Sequence, residues 1–302
     1  MTLPSRITLI GFGEVGQTLA SDLRRQQAVE LIAWDIQFVD PLSVPYKRAQ
    51  EAGVQTASCA SAAVAGTGLV ISAVTTANSL AAVESVAPAL PAKVAFLDLN
   101  SVAPSVKQHS ARTIEAHGGH YIEAAVMAPI QPHGLATAML LGGPHAEGFL
   151  PVAHGLGLSA AQLYSPIVGP ASAAKLCRSV IIKGLEALLT ESLLAARHYG
   201  VEAAVLASLS DLLPHPDWPA QARYMLTRSL LHGRRRSEEM RYVAQTVAEA
   251  GIDPWMSQAS VHRQAWAGAH AAAAAAGGES LSQLLDSLLQ SQSTERSTHA
   301  DH

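Results

Sequence analysis

The segment Gly11-Phe12-Gly13-Glu14-Val15-Gly16 fits G-x-G-x-x-G and lies between an apolar run at 7–10 and an amphipathic stretch. Gly11 permits a tight turn there, and Gly13 lets the backbone approach a pyrophosphate. Gly16 lets a helix pack closely on a strand, with its N-terminus facing the anion. The pattern alone also fits an ordinary strand-to-helix turn. Its place at the first such junction, before a second strand that ends in an acid, selects dinucleotide binding. The acid is Asp35, nineteen residues beyond Gly16. A carboxylate at that point accepts hydrogen bonds from an adenosine ribose and repels a 2′-phosphate. The cofactor expected is therefore NAD or NADP with NAD favoured, against which stand the nearby cations Lys47 and Arg48.

Strand ends supply the other candidates. Val74-Thr75 closes one apolar run, and Asn100-Ser101 follows another. Open parallel sheets place ligands at these carboxyl ends. Asn100-Ser101 also fits a helix cap ahead of Pro104, and the two roles are compatible.

The elements needed to hold these residues are legible as alternation. Apolar runs at 7–10, 29–34, 69–74, 94–99, 121–126 and 138–141 read as strands, several of them unbroken in the manner of strands buried on both faces. Helical segments at 14–26, 79–86, 104–117 and 144–156 fill the gaps, which makes a βαβ architecture. After Tyr164 the strand pattern ceases and helical periodicity runs to about residue 290, with one long helix at 171–199 ended by Gly200. Residues 213–219 hold three prolines and read as a loop. The fold class expected is α/β: a Rossmann domain at 1–165, then an all-α domain at 166–290 joined through the long helix. A disordered tail is expected at 291–302.

Composition narrows the function classes. The 302 residues carry a formal net charge of −4, and only 15% are charged while 49% are hydrophobic. The one basic cluster, Arg234-Arg235-Arg236, is followed by Glu238 and Glu239, so no nucleic-acid footprint is present. Two distant cysteines, Cys59 and Cys177, form no disulfide framework or metal motif and fit a reducing cytoplasm. Residues 6–10 are too short for a signal core. The alanine tract at 271–276 falls short of the ~20 apolar residues of a membrane span. None of the thirteen histidines shows the spacing of a helix-borne metal site, so no metal is expected.

With these residues in place, the sequence resembles the β-hydroxyacid dehydrogenases, relatives of 6-phosphogluconate dehydrogenase, from Ile7 to about Met256. The likeness is strongest at the glycine turn and at Gly169-Pro170-Ala171-Ser172-Ala173-Ala174-Lys175, which resembles the family's G-x-G-x-x-x-K segment. A narrower similarity is to uncharacterised members with an Arg-Ser pair after the lysine, here Arg178-Ser179, and a later Arg-rich, Glu-Glu-Met segment. The resemblance implies a dinucleotide-binding domain, a helical domain that often dimerises, and Lys175 as the catalytic residue. The chemistry is consistent, because oxidising an alcohol carbon releases a hydroxyl proton that a base must take. A lysine desolvated beside a cationic nicotinamide has its pKa lowered toward neutrality.

Departures are equally informative. Members carry an asparagine one turn after the lysine, where Ser179 stands; its shorter reach calls for a bridging water. The second acid of the phosphogluconate enzymes corresponds to Ile182, which argues against decarboxylation. The substrate segment D-x-P-V-S-G-G matches residues 123–129 loosely, with Val126 and Met127 as candidate substrate contacts and Pro129 lacking an N–H. The resemblance also puts Ser101 near nicotinamide or substrate. Arg236 is a candidate carboxylate fork in place of the lost serine, or else part of a surface salt-bridge helix. The expectation is an oxidoreductase moving hydride between nicotinamide and a hydroxyacid or secondary alcohol, as a cytoplasmic homodimer. It takes a small-molecule substrate and neither nucleic acid nor membrane. An imine reductase and a non-catalytic dinucleotide-binding regulator are the alternatives; retention of Lys175 counts against both.

Overall fold

In the computed structural model, which describes residues 3–26, 29–212, 217–276 and 280–300, the chain divides into two units, Met1–Leu176 and Cys177–His302. The first alternates strand and helix. Its opening half holds β1 (Arg6–Ile10), α1 (Glu14–Gln26), β2 (Glu30–Trp34), α2 (Val44–Glu51), β3 (Gln55–Thr56), α3 (Ala60–Val64) and β4 (Leu69–Ser72). It continues through α4 (Ser79–Val86), β5 (Ala95–Asp98), α5 (Pro104–Ala116), β6 (His120–Val126), β7 (Met139–Gly142), α6 (Ala146–Gly155) and β8 (Ala161–Ser165). The strands form one sheet ordered β3-β2-β1-β4-β5-β6-β7-β8, in which only β6 and β7 pair antiparallel.

The unbroken apolar runs are explained by what covers the sheet. Successive side chains point to opposite faces. Ile7, Leu9, Leu69, Ile71 and Leu97 pack into one core; Ile10, Ile32, Val70, Phe96 and Tyr121 pack into the other. The fully buried polar residue on β1 is Thr8, which donates to the Ala63 carbonyl at 2.7 Å.

Six strands were expected and eight are present among the described residues. β3 has two residues, too few for a pattern. β8 exposes Gln162, Leu163 and Tyr164, as an edge strand does, and so lacks an apolar run. α2 also escapes periodicity, but local chemistry marks it: Ser43 caps it by accepting from the Tyr46 amide at 3.4 Å, and Pro45 lies in its first turn.

The second unit is helical. The division falls inside α7 (Pro170–His198), the long helix expected at 171–199, which ends just before Gly200. There follow α8 (Glu202–Leu212), α9 (Trp218–Glu249), α10 (Trp255–Ala269), α11 (Ala272–Ala276) and α12 (Leu281–Ala300). The i, i+4 series Trp218, Ala222, Leu226, Leu230 turns one face of α9 into the core, where it joins Leu189, Leu193, Leu285 and Leu288. Among the described residues no helix is long and apolar enough to cross a membrane.

Two expectations need correction. The three-proline stretch is not wholly a loop: Asp217 caps α9, accepting from the Ala220 amide at 2.9 Å, and Pro219 sits in the first helical turn, where no N–H is required. Residues 213–216 lie outside the described residues. The expected tail at 291–302 is helical as far as Ala300, and 301–302 lie outside the described residues. α12 is anchored by buried Leu284, Leu285 and Leu288 and by Asp286, which takes Arg197 Nε at 2.7 Å and Nη2 at 2.6 Å. That fork, together with Glu202 on α8, raises the proton affinity of Arg197, and Arg197 holds the Asp286 carboxyl below its ordinary value.

A histidine pair on the first unit gives the fold a pH dependence. His120 stacks on His145 with ring centroids 4.0 Å apart and planes 8° apart, and His145 faces Glu115 at 3.8 Å. Burial, then the proximity of His145 and Lys93, holds His120 below its ordinary value, while Glu115 acts in the opposite sense. A base whose folded-state value is depressed stabilises the fold above its unfolded value, about 6.5, and loses that contribution as pH falls through the folded value. Thermal melts between pH 7.5 and 5 should show Tm falling on the acid side, with a shallower slope in His120→Gln. Equal slopes in the two proteins would remove His120 as the cause.

Candidate active site

Strands β1, β4, β5 and β6 are adjacent and parallel, with Ile10 opposite Ser72, Ser72 opposite Asp98, and Asp98 opposite Glu123. Their carboxyl ends therefore form one edge. The crossover between β1 and β4 is the point where strand order reverses, the usual ligand crevice of such sheets.

The glycine turn occupies that point. Gly11 has φ +91°, and a Cβ there would lie 2.5 Å from the Ala73 carbonyl oxygen; one at Gly16 would lie 2.3 Å from the Gly11 oxygen. The turn can close only without side chains at those positions. At Gly13 an added Cβ meets nothing within 4 Å, so the outer surface of the turn is open to a ligand. α1 begins at Glu14 and presents its first amides at this surface, the positive end of its dipole. Phe12 and Val15 face the other way: Phe12 is fully buried and Val15 packs on the core.

Asp35 is built into the turn. Its Oδ2 accepts from the Phe12 amide at 2.8 Å and its Oδ1 from the Gln37 amide at 2.9 Å. The Phe12 carbonyl accepts from Gln17 Nε2 at 2.8 Å, and Gln17 Oε1 accepts from Arg48 at 2.8 Å. An open glycine turn, a helix N-terminus and a fixed carboxylate at the end of β2 fit a dinucleotide: the turn for the pyrophosphate, the carboxylate for a ribose.

The β4–β5 ends are organised by a residue that motif reading missed. Asp98 is fully buried; its Oδ1 accepts from the Asn100 amide at 2.9 Å and lies 3.1 Å from Lys107 Nζ, and its Oδ2 accepts from Tyr121 OH at 2.6 Å. Lys107 Nζ also donates to the Asp98 carbonyl at 2.9 Å. Burial first, and then Asp98, push the Tyr121 phenol well above its ordinary value. Asn100 oriented in this way accepts from the Val74 amide at 2.8 Å and donates to Ser72 Oγ at 3.0 Å. Thr75 Oγ1 accepts from Asn78 at 2.9 Å. Val74 and Asn100 are thus one hydrogen-bonded strand-end unit, and Thr75 follows Val74 in the chain.

Lys175 comes to the same edge. Its Nζ donates to Ser101 Oγ at 2.5 Å, joining residues 74 positions apart. The start of α7 is held by Glu123, whose Oε2 accepts from the Gly169 amide at 2.8 Å and Oε1 from the Ser172 amide at 2.7 Å. Farther along β6, Val126 packs on the core and the Met127 amide donates to the Ala138 carbonyl at 2.9 Å, a sheet hydrogen bond that occupies this amide.

The remaining two candidates belong to the helical unit. Ser179 Oγ accepts from Lys183 Nζ at 3.3 Å, and Lys183 pairs with Glu239 at 2.9 Å. Arg236 is buried against Glu186, itself buried. Burial holds the Arg236 guanidinium below the usual arginine range, with Glu239 opposing. The polar stripe Ser179, Lys183, Glu186 on α7 is therefore answered by Arg236 and Glu239 on α9, and Arg236 is engaged as a structural ion pair.

Residues 6–157, half of the chain, match the NAD-binding domain of 6-phosphogluconate dehydrogenase, and residues 196–267 match a domain of unknown function (DUF1932). A conserved hypothetical protein from Sinorhizobium meliloti 1021 is 34% identical with TM-score 0.73, over 94% of this chain and 96% of that one. A Mycobacterium tuberculosis 3-hydroxyisobutyrate dehydrogenase, solved with L-serine, is 18% identical with TM-score 0.71, over 95% of this chain and 99% of that one. A Streptomyces aurantiacus imine reductase is 18% identical with TM-score 0.55, over 93% and 98%. No curated protein matches this chain. The chain belongs to the β-hydroxyacid dehydrogenase-like family that shares the 6-phosphogluconate dehydrogenase NAD-binding domain. It is an NAD(P)-dependent oxidoreductase of that superfamily.

Proposed function

We propose that the chain oxidises or forms a secondary alcohol, a hydroxyacid or a close relative of one, with Lys175 as the group that takes or returns the hydroxyl proton. The observation that carries this reading is the contact of Lys175 Nζ with Ser101 Oγ at the strand edge, 2.5 Å long. The nicotinamide, when bound, supplies the hydride acceptor or donor. The glycine turn and the α1 N-terminus hold the pyrophosphate, and the Val74-Thr75 and Asn100-Ser101 strand ends line the reacting end. Ser101 holds the lysine amine in place and lies within reach of a substrate hydroxyl, so a proton passes between that hydroxyl and Nζ over one hydrogen bond. The protein works as a homodimer in the cytoplasm.

NAD is the favoured cofactor because the Asp35 carboxylate is fixed by two amides where the adenosine ribose binds. Asp35→Asn keeps an acceptor for the Phe12 amide and removes the charge. The ratio of NADPH to NADH dissociation constants should fall about tenfold, the equivalent of ~1.4 kcal/mol. An unchanged ratio, read by nucleotide fluorescence titration, would remove Asp35 as the selector.

The reaction class is tested by following reduced nicotinamide absorbance over hydroxyacids, secondary alcohols, ketoacids and cyclic imines. Turnover confined to hydroxyacids and their ketoacids supports the proposal. Turnover of imines alone would transfer the chain to the reductase class, and tight cofactor binding without turnover on any of them would favour a regulatory role.

A further inference from the structure

A helix can be capped by a side chain of the residue just before it, as Ser43 caps α2 and Asp217 caps α9. α7 cannot be, because Gly169 has no side chain. Its cap comes from across the fold: Glu123, 46 and 49 residues away, binds the Gly169 and Ser172 amides with its two oxygens. The Ser172 hydroxyl closes the turn by donating to the Gly169 carbonyl at 2.9 Å. Glu123 is fully buried. It fits because its partner in the β6–β7 pairing is Gly142, where an added Cβ would lie 2.6 Å from Oε2.

We infer that Glu123 is the positioning residue for Lys175, fixing the height and rotation of the start of α7 so that Nζ meets Ser101. The inference rests on the reading of Lys175 as the proton-transfer residue. Lys175 follows Ser172 by three residues, close to one helical turn and about 4.5 Å along the axis. Ser101 follows β5, and β5 pairs with β6 with Asp98 opposite Glu123. The circuit from β5 through Ser101, Lys175, α7 and Glu123 to β6 is therefore closed, and both ends of the lysine segment are referred to the same two strands. A cap supplied from within α7 would fix only the local turn.

Charge reinforces position. A carboxylate offsets the positive end of α7, about one turn before the lysine in sequence. The other charged or titratable groups near Glu123 are Tyr121 on its own strand, and beyond it Asp98 on β5 paired with Lys107 on α5. Removing the Glu123 charge leaves the helix end uncompensated and makes the protonated lysine less favourable.

The test uses the full chain labelled with ¹³C-lysine, the Lys175 resonance being assigned by its loss in Lys175→Ala. Glu123→Gln keeps the shape but removes the charge and turns an NH₂ toward a backbone N–H. Lys175 should then titrate lower by about half to one pH unit. Turnover should fall about 10- to 100-fold with cofactor affinity kept. Ser172→Pro deletes the amide donor together with the hydroxyl that closes the turn, at a position where helices accept proline, and leaves the carboxylate charged. It should lower turnover while moving the lysine titration less, and it carries the test if Glu123→Gln does not fold. Lys175 titrating alike in wild type and Glu123→Gln, or turnover unaltered in Ser172→Pro, would overturn the inference. The titration needs no substrate, so it still decides the role of Glu123 if Lys175→Ala retains activity and the catalytic reading falls.

Discussion

Turnover in Lys175→Ala is expected to fall by about 10²–10⁴-fold, the contribution typical of one positioned acid or base. Cofactor affinity should hardly change, because the groups proposed to hold the pyrophosphate and ribose are the glycine turn and Asp35, at the ends of β1 and β2. Loss in kcat without loss of cofactor binding is the signature of a group that acts on the reacting atoms. Lys175→Arg sharpens the test: guanidinium keeps the charge but does not release its proton in this pH range. It should be nearly as inactive as alanine. An arginine variant with near wild-type turnover would show that the site needs a cation and not a proton carrier. Small primary amines added to Lys175→Ala should restore part of the rate in proportion to their basicity. Alanine-variant turnover within tenfold of wild type would remove Lys175 from the chemistry.

How much of this was legible in sequence depended on whether the partners were near each other along the chain. The glycine turn and the strands around it were readable because turn chemistry and buried parallel strands leave local patterns, and α7 because its period persists for 29 residues. Asp98 and Glu123 were not assigned, although each interrupts an apolar strand run, and a carboxylate in a strand buried on both faces must have a partner. That was the available signal. The partners were not, for Lys107 lies on the next helix and the amides of Gly169 and Ser172 lie beyond two further strands. The same limit applies to Arg236. Its sequence neighbours are arginines and glutamates, which read equally as a solvated face, while Glu186 lies fifty residues earlier. The polar stripe on α7 signalled that partners existed without naming them. At the chain's end, composition suggested disorder at 291–302, but the leucines before it dock α12 and carry the helix on to Ala300.

The largest effect on stability is expected at Lys107. Its ammonium and the Asp98 carboxylate are 1% and 0% exposed, so neither is solvated by water. Assembling such a pair adds little net stability, since the cost of desolvation cancels most of the attraction. Breaking it is different. Lys107→Met fills most of the volume and leaves a carboxylate buried with only the Tyr121 hydroxyl and the Asn100 amide, a loss of about 3–5 kcal/mol. In chemical denaturation the midpoint should fall with little change in slope. A carboxylate deprived of its cation also gains a proton on folding more readily, so the deficit should shrink as pH falls from 8 to 5. Asp98→Asn combined with Lys107→Met removes the stranded charge and should recover part of the loss, which a packing defect at Lys107 alone would not do. Asn100 supplies the functional readout. Its backbone is held by Asp98 and its side chain by Ser72 and Val74, so cofactor affinity should weaken in Lys107→Met even under conditions where the protein is fully folded. A midpoint within the equivalent of ~0.5 kcal/mol of wild type would show that water reaches Asp98 and that the hub is not the dry ion pair described.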